Sequence, residues 1–217
     1  MQAGVSNPLA DPVLELYDSG PSQIAFNNNW RDTQEDSIKA TGIPPVNDLE
    51  SAIDATLAPG NYTAIVRGNN GGPGIALVEV YDLDPSTGKL ANISTRAFVG
   101  TDADITIAGF ILGNQGAAAD IVIRGLGPSL AAAGLNSFLP NPSLELRNGD
   151  GVLLAANNDW QDNPAQAAKL LAAGLAPADN RESGIAMTLP PGSYTALLSG
   201  ESNSTGIGLV EVYNLSR

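Results

Sequence analysis

The sequence predicts an all-β fold, organised as tandem jelly-roll or immunoglobulin-like β-sandwiches with one short helix per repeat. The first observation is the composition: 24 glycines, 15 prolines and only 15% charged residues are typical of short strands joined by turns. The second is the alternation of apolar and polar residues in short segments, which is the pattern of half-buried strands. The third is that most of the chain occurs twice, which indicates repeated modules.

An internal repeat organises the chain. Residues 3–39 match residues 133–169 at an offset of 130, and residues 40–85 match residues 172–217 at an offset of 132, with two extra residues near 170. The recurring landmarks are Leu-Glu-Leu at 14–16 and 144–146, Asn-Asn-Asn-Trp at 27–30 and Asn-Asn-Asp-Trp at 157–160, Pro-Gly-x-Tyr-Thr-Ala at 59–64 and 191–196, and Leu-Val-Glu-Val-Tyr at 77–81 and 209–213. These colinear matches indicate two copies of one module.

Each copy is predicted to contain five strands separated by turns. In the first copy they span roughly residues 12–18, 22–29, 49–57, 60–68 and 74–82, with equivalent spans in the second copy. In the last of these strands Val78 and Val80 share one face, and Glu79 lies on the other. This is the two-residue period of a half-buried strand.

The connector between the second and third strands predicts a short helix. In the second copy Asn163 can cap it, Pro164 suits its first position and Gly174 can close its C-terminus. The first copy has a polar turn through Lys39 and Gly42 at this place, so its helix is predicted to be shorter and more exposed.

The stretch from Leu90 to Leu130, here called the three-strand segment, occurs only once. Its apolar alternation predicts strands at 93–99, 105–112 and 120–126. Two sets of five strands and one set of three make thirteen, whereas a complete double-sheet sandwich needs eight per module. The predicted domains are therefore a first lobe at 1–85 that lacks three strands, and a complete repeat at 86–217, made of the segment 90–130 and the lobe 131–217.

The missing strands leave an unpaired sheet edge and an apolar face in the first lobe. One outcome is that a neighbouring molecule supplies the strands, which would build a head-to-tail filament. A second is that the sequence is a window from a longer array, because residues 1–5 align with the internal residues 131–135, and residues 214–217 resemble the start of 92–96. A third is that five strands suffice, with the connector covering the open face.

Under the first outcome the expected partners are copies of the chain itself. The side chains expected to be donated are Ile93, Phe98, Ile105, Ile107, Phe110, Ile121 and Ile123.

Charge and composition exclude several classes of function. There are 10 Lys and Arg against 23 Asp and Glu, a net charge of −13, which disfavours nucleic acid and anionic membrane surfaces as partners. The chain has no cysteine and no histidine, which removes thiolate nucleophiles, histidine bases and the usual zinc ligands. We expect no enzymatic activity and no membrane-spanning segment.

Two clusters of Asn and Asp are candidate calcium ligands, because hard cations take several carboxylate and amide oxygens from a loop. The candidates are Asn27, Asn29, Asp32 and Asp36 in the first copy, and Asn157, Asp159 and Asp162 in the second. The alternative is that these residues form Asx turns and caps between a strand and a helix. No other cofactor is expected.

Trp30 and Trp160 occupy the same position in the two copies. Exposed, they could stack on sugar rings, but packing in the core is the commoner use of a large aromatic side chain at a strand end. Their repetition favours the core.

Glu79 and Glu211 lie within apolar strands, where a buried carboxylate would need a partner. Arg96 and Arg124 of the three-strand segment are the candidates. The alternative is a pair of solvent-facing glutamates on a half-exposed sheet.

The residues 14–18, 24–30 and 57–63, with their second-copy equivalents, resemble the bacterial pre-peptidase C-terminal type of β-sandwich. That family shows a strand ending in Tyr-Asp, a glycine turn, an Asn/Asp-rich segment and a Leu-x-Pro-Gly-x-Tyr strand. The resemblance implies secretion, an extracellular or cell-surface location and an accessory or structural role. The chain departs from the family's usual setting beside a catalytic domain.

The sequence thus predicts an extracellular structural or adhesive repeat protein that assembles head-to-tail by sharing β-strands. The alternative is a carbohydrate- or calcium-binding accessory module of a larger secreted enzyme.

Overall fold

The computed structural model describes residues 7–84, 90–113 and 118–216. It is mostly β, with three antiparallel sheets, in agreement with the all-β prediction. The chain divides into two compact units, Met1–Lys89 and Leu90–Arg217. The predicted boundary at 85–86 and the aligned residues 1–5 lie outside the described residues. Within the described ranges no helix is long and apolar enough to cross a membrane.

The first unit has few regular elements. They are strands β1 (Pro12–Tyr17), β2 (Gln23–Asn27) and β3 (Thr63–Gly68), and the helix α1 (Glu35–Ala40). The strands form one sheet in the order β2-β1-β3. The helix has six residues, so the prediction of a short helix in the first copy is confirmed.

In the second unit, the described residues form eight strands and one α-helix. They are β4 (Asn92–Val99), β5 (Thr106–Leu112), β6 (Ala119–Leu126), β7 (Pro142–Asn148), β8 (Leu153–Asn157), α2 (Pro164–Ala172), β9 (Ser183–Leu189), β10 (Gly192–Gly200) and β11 (Gly206–Asn214). The first three of these strands confirm the prediction for the three-strand segment. They form two four-stranded sheets, in the orders β5-β10-β7-β8 and β4-β11-β6-β9.

The core of the second unit lies between its two sheets. Its buried side chains come from both of them: Val99, Ile121, Ile123, Leu139, Leu144, Leu146, Ile185, Leu189, Tyr194, Ala196, Leu198, Val210 and Val212. Because apolar residues alternate along each strand, one face of each sheet is buried against the other. The arrangement is sandwich-like.

Helix α2 closes a second, smaller core over the sheet that contains β9. The Asn163 side chain accepts hydrogen bonds from the backbone N–H groups of Ala165 and Gln166, and Gly174 ends the helix with a φ of +68°. Leu170 is fully buried there beside Trp160. The capping prediction is confirmed.

The sheet of the first unit repeats the register of the second. Leu14 pairs with Asn27 as Leu144 pairs with Asn157, and an irregularity follows Leu16 as it follows Leu146. Strand β3 lies against β1 in the same way as β10 lies against β7.

The helices correct one detail of the repeat alignment. The Thr41 N–H donates to the Ser37 carbonyl, and the Ala173 N–H donates to the Lys169 carbonyl, so the helices are related by the offset of 132 rather than 130. The Asp32 and Asp162 N–H groups make equivalent bonds at an offset of 130, and the Gln34 and Gln166 side chains at 132, so the two extra residues lie between 162 and 166, at the start of α2, and not near 170. Repeated alanines let the sequence slide locally without a visible mismatch.

The strands predicted at 49–57 and 74–82 are not formed, and the described residues hold eleven strands instead of thirteen. Their counterparts in the second unit are β9, which pairs only with β6, and β11, which pairs with β4 and β6. Since β9 and β11 never pair with each other, both depend on the three-strand segment. The sequence of the first unit has no copy of that segment, and its two stretches have no neighbouring strand among residues 7–84.

We expect amide hydrogen exchange to separate these stretches from their counterparts. The backbone of 49–57 and 76–82 should exchange at least about a hundredfold faster than that of β9 and β11, because only the latter have ladder partners. Exchange followed by mass spectrometry of the intact chain measures both pairs in one sample. Similar protection in the two units would contradict the conclusion that 49–57 and 76–82 have no neighbouring strand.

Candidate strand-acceptor site

The first unit exposes apolar side chains that are buried at the same positions of the second unit. Val78 and Val80 are 47% and 50% exposed, whereas Val210 and Val212 are 0% and 6% exposed. Leu77 and Tyr81, beside them, are exposed as well. Large apolar side chains grouped along one segment mark a surface that binds another polypeptide or aggregates. We call the stretches 49–57 and 74–82, together with the free edge of β3, the acceptor face.

The free edge of β3 corresponds to an edge that is paired in the second unit. There β10 pairs with β5 over seven residue pairs, from Gly192 with Leu112 to Leu198 with Thr106. In the described part of the first unit, β3 pairs with β1 alone. Its remaining backbone N–H and C=O groups are available for an added strand.

An aromatic pair shows what β5 contributes. The Phe110 and Tyr194 rings stack with their centroids 5.4 Å apart, and the Tyr194 hydroxyl donates to the Pro190 carbonyl at 2.7 Å. In the first unit the Tyr62 hydroxyl donates to the Ala58 carbonyl at 2.8 Å in the same way. Tyr62 thus makes the same local hydrogen bond as its counterpart, although no described strand of the first unit supplies a ring to stack on it.

An ion pair links the three-strand segment to β11. The Arg124 Nε donates to the Glu211 Oε2 at 2.7 Å, and the Tyr213 hydroxyl donates to the Glu211 Oε1 at 2.9 Å. The Arg124 Nη2 contacts both Glu211 and the Tyr213 oxygen, and the guanidinium lies 5.3 Å from the centre of the Tyr213 ring. Burial and the hydrogen bond to Glu211 raise the pKa of Tyr213. The predicted partnership of Glu211 with Arg124 is confirmed; Arg96 is not its partner.

In the first unit, Glu79 and Tyr81 occupy the positions of Glu211 and Tyr213. The Tyr81 hydroxyl donates to the Glu79 Oε1 at 3.0 Å, and this hydrogen bond raises the pKa of Tyr81. Both side chains are exposed. Among the described residues no arginine or lysine forms an ion pair with Glu79.

A second carboxylate of the second unit binds the end of the three-strand segment. The Glu182 Oε1 accepts hydrogen bonds from the Gly127 N–H at 3.0 Å, the Ser129 N–H at 2.8 Å and the Ser129 hydroxyl at 2.6 Å. The Glu182 side chain is fully buried. Its position in the repeat corresponds to Glu50, which is exposed.

Glu50 already makes the local contacts of its counterpart. The Trp30 N–H donates to the Glu50 carbonyl at 2.8 Å, as the Trp160 N–H donates to the Glu182 carbonyl at 2.9 Å. The Glu50 Oε2 accepts from the Asn47 N–H at 3.2 Å, as the Glu182 Oε2 accepts from Asp179 at 3.4 Å. Sequence reasoning missed this pair, although a glutamate at the same place in both copies was a usable signal.

The candidate calcium ligands occupy several different environments. Asn27 is buried, donates to the Asn29 carbonyl at 3.0 Å and accepts from the Ala52 N–H at 3.0 Å. Asn157 makes the equivalent bonds to the Asp159 carbonyl and the Gly184 N–H, both at 2.8 Å. These two amides therefore tie the strand end to a distant segment in each unit.

The remaining candidates lie nearer the surface. The Asn29 amide donates to the Asp32 carboxylate at 3.1 Å, Asp36 is exposed in the first turn of α1, and Asp162 is exposed beside Asp159. The described residues contain no group of three or more acidic, histidine or cysteine side chains placed to hold a metal ion. Calcium binding stays a prediction.

The two tryptophans pack in the interior. Trp30 is 2% exposed and Trp160 is 5% exposed, so the core role predicted for them is confirmed. The Arg31 guanidinium also covers the Trp30 ring, 4.2 Å from its centre. Neither ring offers a free face for stacking on a sugar.

The apolar residues predicted for donation divide by orientation. Ile121 and Ile123 are buried in the core of the second unit, and Ile93 and Phe110 pack partly against it. Ile105, just before β5, is half-buried, whereas Phe98 and Ile107 are exposed. Within this unit the segment fills its own sandwich through the inward-facing subset.

A shallow cleft also lies on the second unit. Its volume is about 320 Å³, and it is lined by Gly100, Thr101, Asp102, Ile105, Glu145, Leu197, Ser199, Gly200 and Asn203. Ligand pockets are usually lined by apolar and aromatic side chains with a few convergent polar groups. This cleft has no aromatic lining, so the acceptor face is the stronger candidate site.

No protein-family model matches the chain, and no curated protein matches it.

We expect the Arg124→Gln substitution to destabilise the second unit by about 3 kcal/mol, because the mostly buried Glu211 then lacks its cationic partner. The matched control is Glu79→Gln, which should change stability by less than about 0.5 kcal/mol because Glu79 is exposed. Differential scanning calorimetry measures both variants. Equal effects of the two substitutions would show that the two glutamates do not differ as described.

Substituting Asn157 by Ala should lower stability by about 1–3 kcal/mol, since the buried Gly184 N–H loses its acceptor. The loss should be the same in calcium and in a calcium chelator if the amide is structural. Asn158→Ala is the neighbouring control, with a smaller loss. A calcium-dependent rise in melting temperature that Asn157→Ala abolishes would instead support the calcium prediction.

Proposed function

We propose that this chain is a non-catalytic, extracellular structural repeat protein that joins a head-to-tail assembly by β-strand complementation. Its modules are jelly-roll sandwiches, and its first unit accepts three strands from a neighbouring subunit. The observation that carries the proposal is the acceptor face, where two stretches have the sequence of strands and pair with none of the described strands. The resemblance to pre-peptidase C-terminal sandwiches supports the extracellular location and the structural role.

The pairing order of the second unit supports the jelly-roll assignment. Its first strand pairs with its eighth (β4 with β11), its second with its seventh (β5 with β10), its third with its sixth (β6 with β9) and its fourth with its fifth (β7 with β8). Such nested antiparallel pairing is what a long hairpin produces when it wraps into two sheets. The matching registers of the first unit support a second module of the same kind.

The nested order also predicts which strands a module loses when it lacks the three-strand segment. Without the first three strands, the fourth and fifth still pair, and the seventh keeps its neighbour, the fourth. The sixth and eighth lose every neighbour. The first unit has this composition: β1, β2 and β3 are paired, and the other two stretches are not.

Counting the strands restricts how the subunits join. Residues 1–217 hold one three-strand segment for two lobes, so transferring it between copies of this stretch closes one lobe and opens another. Such an exchange gives no net gain in strand pairing. We therefore infer that the neighbouring subunit brings a three-strand segment that its own sandwich does not use.

The experiment provides one three-strand segment for each lobe. We expect the full chain, extended after Arg217 by a second copy of residues 90–130, to form concentration-dependent head-to-tail oligomers, because every lobe then has a segment. Sedimentation velocity and electron microscopy measure the assembly, and the unextended chain is the control. Extended chains that remain monomeric at high concentration would contradict the assembly proposal.

A further inference from the structure

The acceptor face holds two carboxylates whose counterparts both bind the three-strand segment. Glu211 binds the Arg124 side chain, and Glu182 binds the backbone and hydroxyl of the Gly127–Ser129 turn. Glu79 and Glu50 occupy the same repeat positions, and both are exposed. The four glutamates thus form two equivalent pairs, of which one pair is occupied by its ligand and the other is not.

We propose that Glu79 and Glu50 select the complementing segment, and that this segment carries the pattern Arg-x-x-Gly-x-Ser at the end of its third strand. In the second unit the pattern is Arg124 to Ser129. The occupant is a three-strand segment of a neighbouring subunit. The inference rests on the proposed function and names the groups through which the strands are recognised.

The arginine of the pattern is required by the Glu79 and Tyr81 pair. These two side chains already have the hydrogen bond that Glu211 and Tyr213 share, at 3.0 Å against 2.9 Å. An arginine on the incoming third strand would bind the free carboxylate oxygen and lie over the tyrosine ring, as Arg124 does. Glu79 and Tyr81, which would bind the guanidinium, are therefore already joined by a hydrogen bond in the open unit.

The glycine of the pattern is required by a close backbone approach. A Cβ atom on Gly127 would lie 2.0 Å from the carbonyl oxygen of Leu139, which excludes a side chain there. The repeat places Leu9 of the first unit at the position of Leu139, and both residues donate their N–H to the corresponding isoleucine, Ile75 or Ile207, at 2.8 Å. An incoming turn meets the same obstacle in the first unit.

The serine of the pattern is required by Glu50. In the second unit one carboxylate oxygen accepts three hydrogen bonds from the turn, two of them from Ser129. Glu50 keeps the oxygen that binds its own loop, through Asn47, and leaves the equivalent of the ligand-binding oxygen free of any hydrogen bond to a described residue. A turn with this serine would complete the set.

Charge complementarity also favours this occupant. The chain carries a net charge of −13, so two unpaired glutamates on an apolar face repel most segments of a similar protein. The segment 90–130 has two arginines against three aspartates, so the complementarity is local: Arg124 binds Glu211, the counterpart of Glu79. A segment without that arginine would bury Glu79 unpaired.

The test adds a synthetic peptide of residues 90–130 to the full chain. We expect the peptide to protect residues 49–57 and 76–82 from hydrogen exchange, and the Arg124→Gln peptide to bind at least about tenfold more weakly. The chain variant Glu79→Gln should weaken the wild-type peptide to a similar extent. Glu50→Ala should also weaken it, whereas Glu50→Gln, which keeps an acceptor oxygen, should weaken it less.

A charge reversal makes the test independent of folding defects. The Glu79→Arg chain should reject the wild-type peptide and regain binding with the Arg124→Glu peptide, which a merely structural role of Glu79 would not produce. A second format serves if the peptide self-associates. In it, residues 90–132 are joined directly to Ala3 in one continuous chain, and the same substitutions are made there. There the readout is the exchange protection of the two stretches.

Three results decide whether the recognition proposal holds. Protection by the wild-type peptide that the substitutions at Glu79, Glu50 and Arg124 reduce supports the proposal. Protection that is unaffected by them overturns the selective role of the carboxylates, and no protection in either format overturns the occupant. Peptide binding by the chain, together with a chain extended by residues 90–130 that forms no head-to-tail oligomers, would contradict the proposed function while leaving the recognition proposal intact.

Discussion

The nested pairing of strands is the constraint on which the rest of the structure depends. In the second unit each of the first three strands is the partner of one of the last three, so β4, β5 and β6 hold β11, β10 and β9 in their sheets. One segment of the chain therefore determines whether β9 and β11, more than fifty residues away, can form at all. A module that lacks the segment retains only the strands that pair among themselves.

The two units show this dependence at the level of single side chains. Leu14 and Leu16 are half-buried, whereas Leu144 and Leu146 at the same positions are fully buried. Burying one such side chain completely contributes about 1.5–3 kcal/mol, so covering the inner face of the first unit would stabilise it substantially. The same lack of cover leaves an open β-edge, which binds other strands through backbone hydrogen bonds.

Local signals were sufficient wherever the structure depends on neighbours in sequence. Asn163, Pro164 and Gly174 specified the ends of α2, and the alternation of apolar residues specified β4, β5 and β6. The partnership of Arg124 with Glu211 was also predictable, because a carboxylate in an apolar strand needs a cation.

The stretches 49–57 and 74–82 have the same alternation and still form no strand, because a strand also needs a partner that its own residues cannot provide. The missing three-strand unit was visible in the sequence, but the order of the sheets, which decides the strands that fail without it, was not. Glu182 escaped prediction for a related reason. Its ligands are mainly backbone N–H groups and a serine hydroxyl, which leave no charge pattern in the sequence.

Under the proposed recognition, Glu79 makes an open apolar face selective. An exposed edge with apolar side chains pairs with almost any strand, because backbone hydrogen bonds carry no sequence information. A carboxylate placed within that face adds a cost for each strand that buries it without a cation, and a cationic side chain at the matching position, such as an arginine, offsets that cost. Selectivity then comes mainly from rejecting wrong strands. In this proposal Glu79, which interrupts the apolar pattern of its stretch, is the residue that specifies the partner.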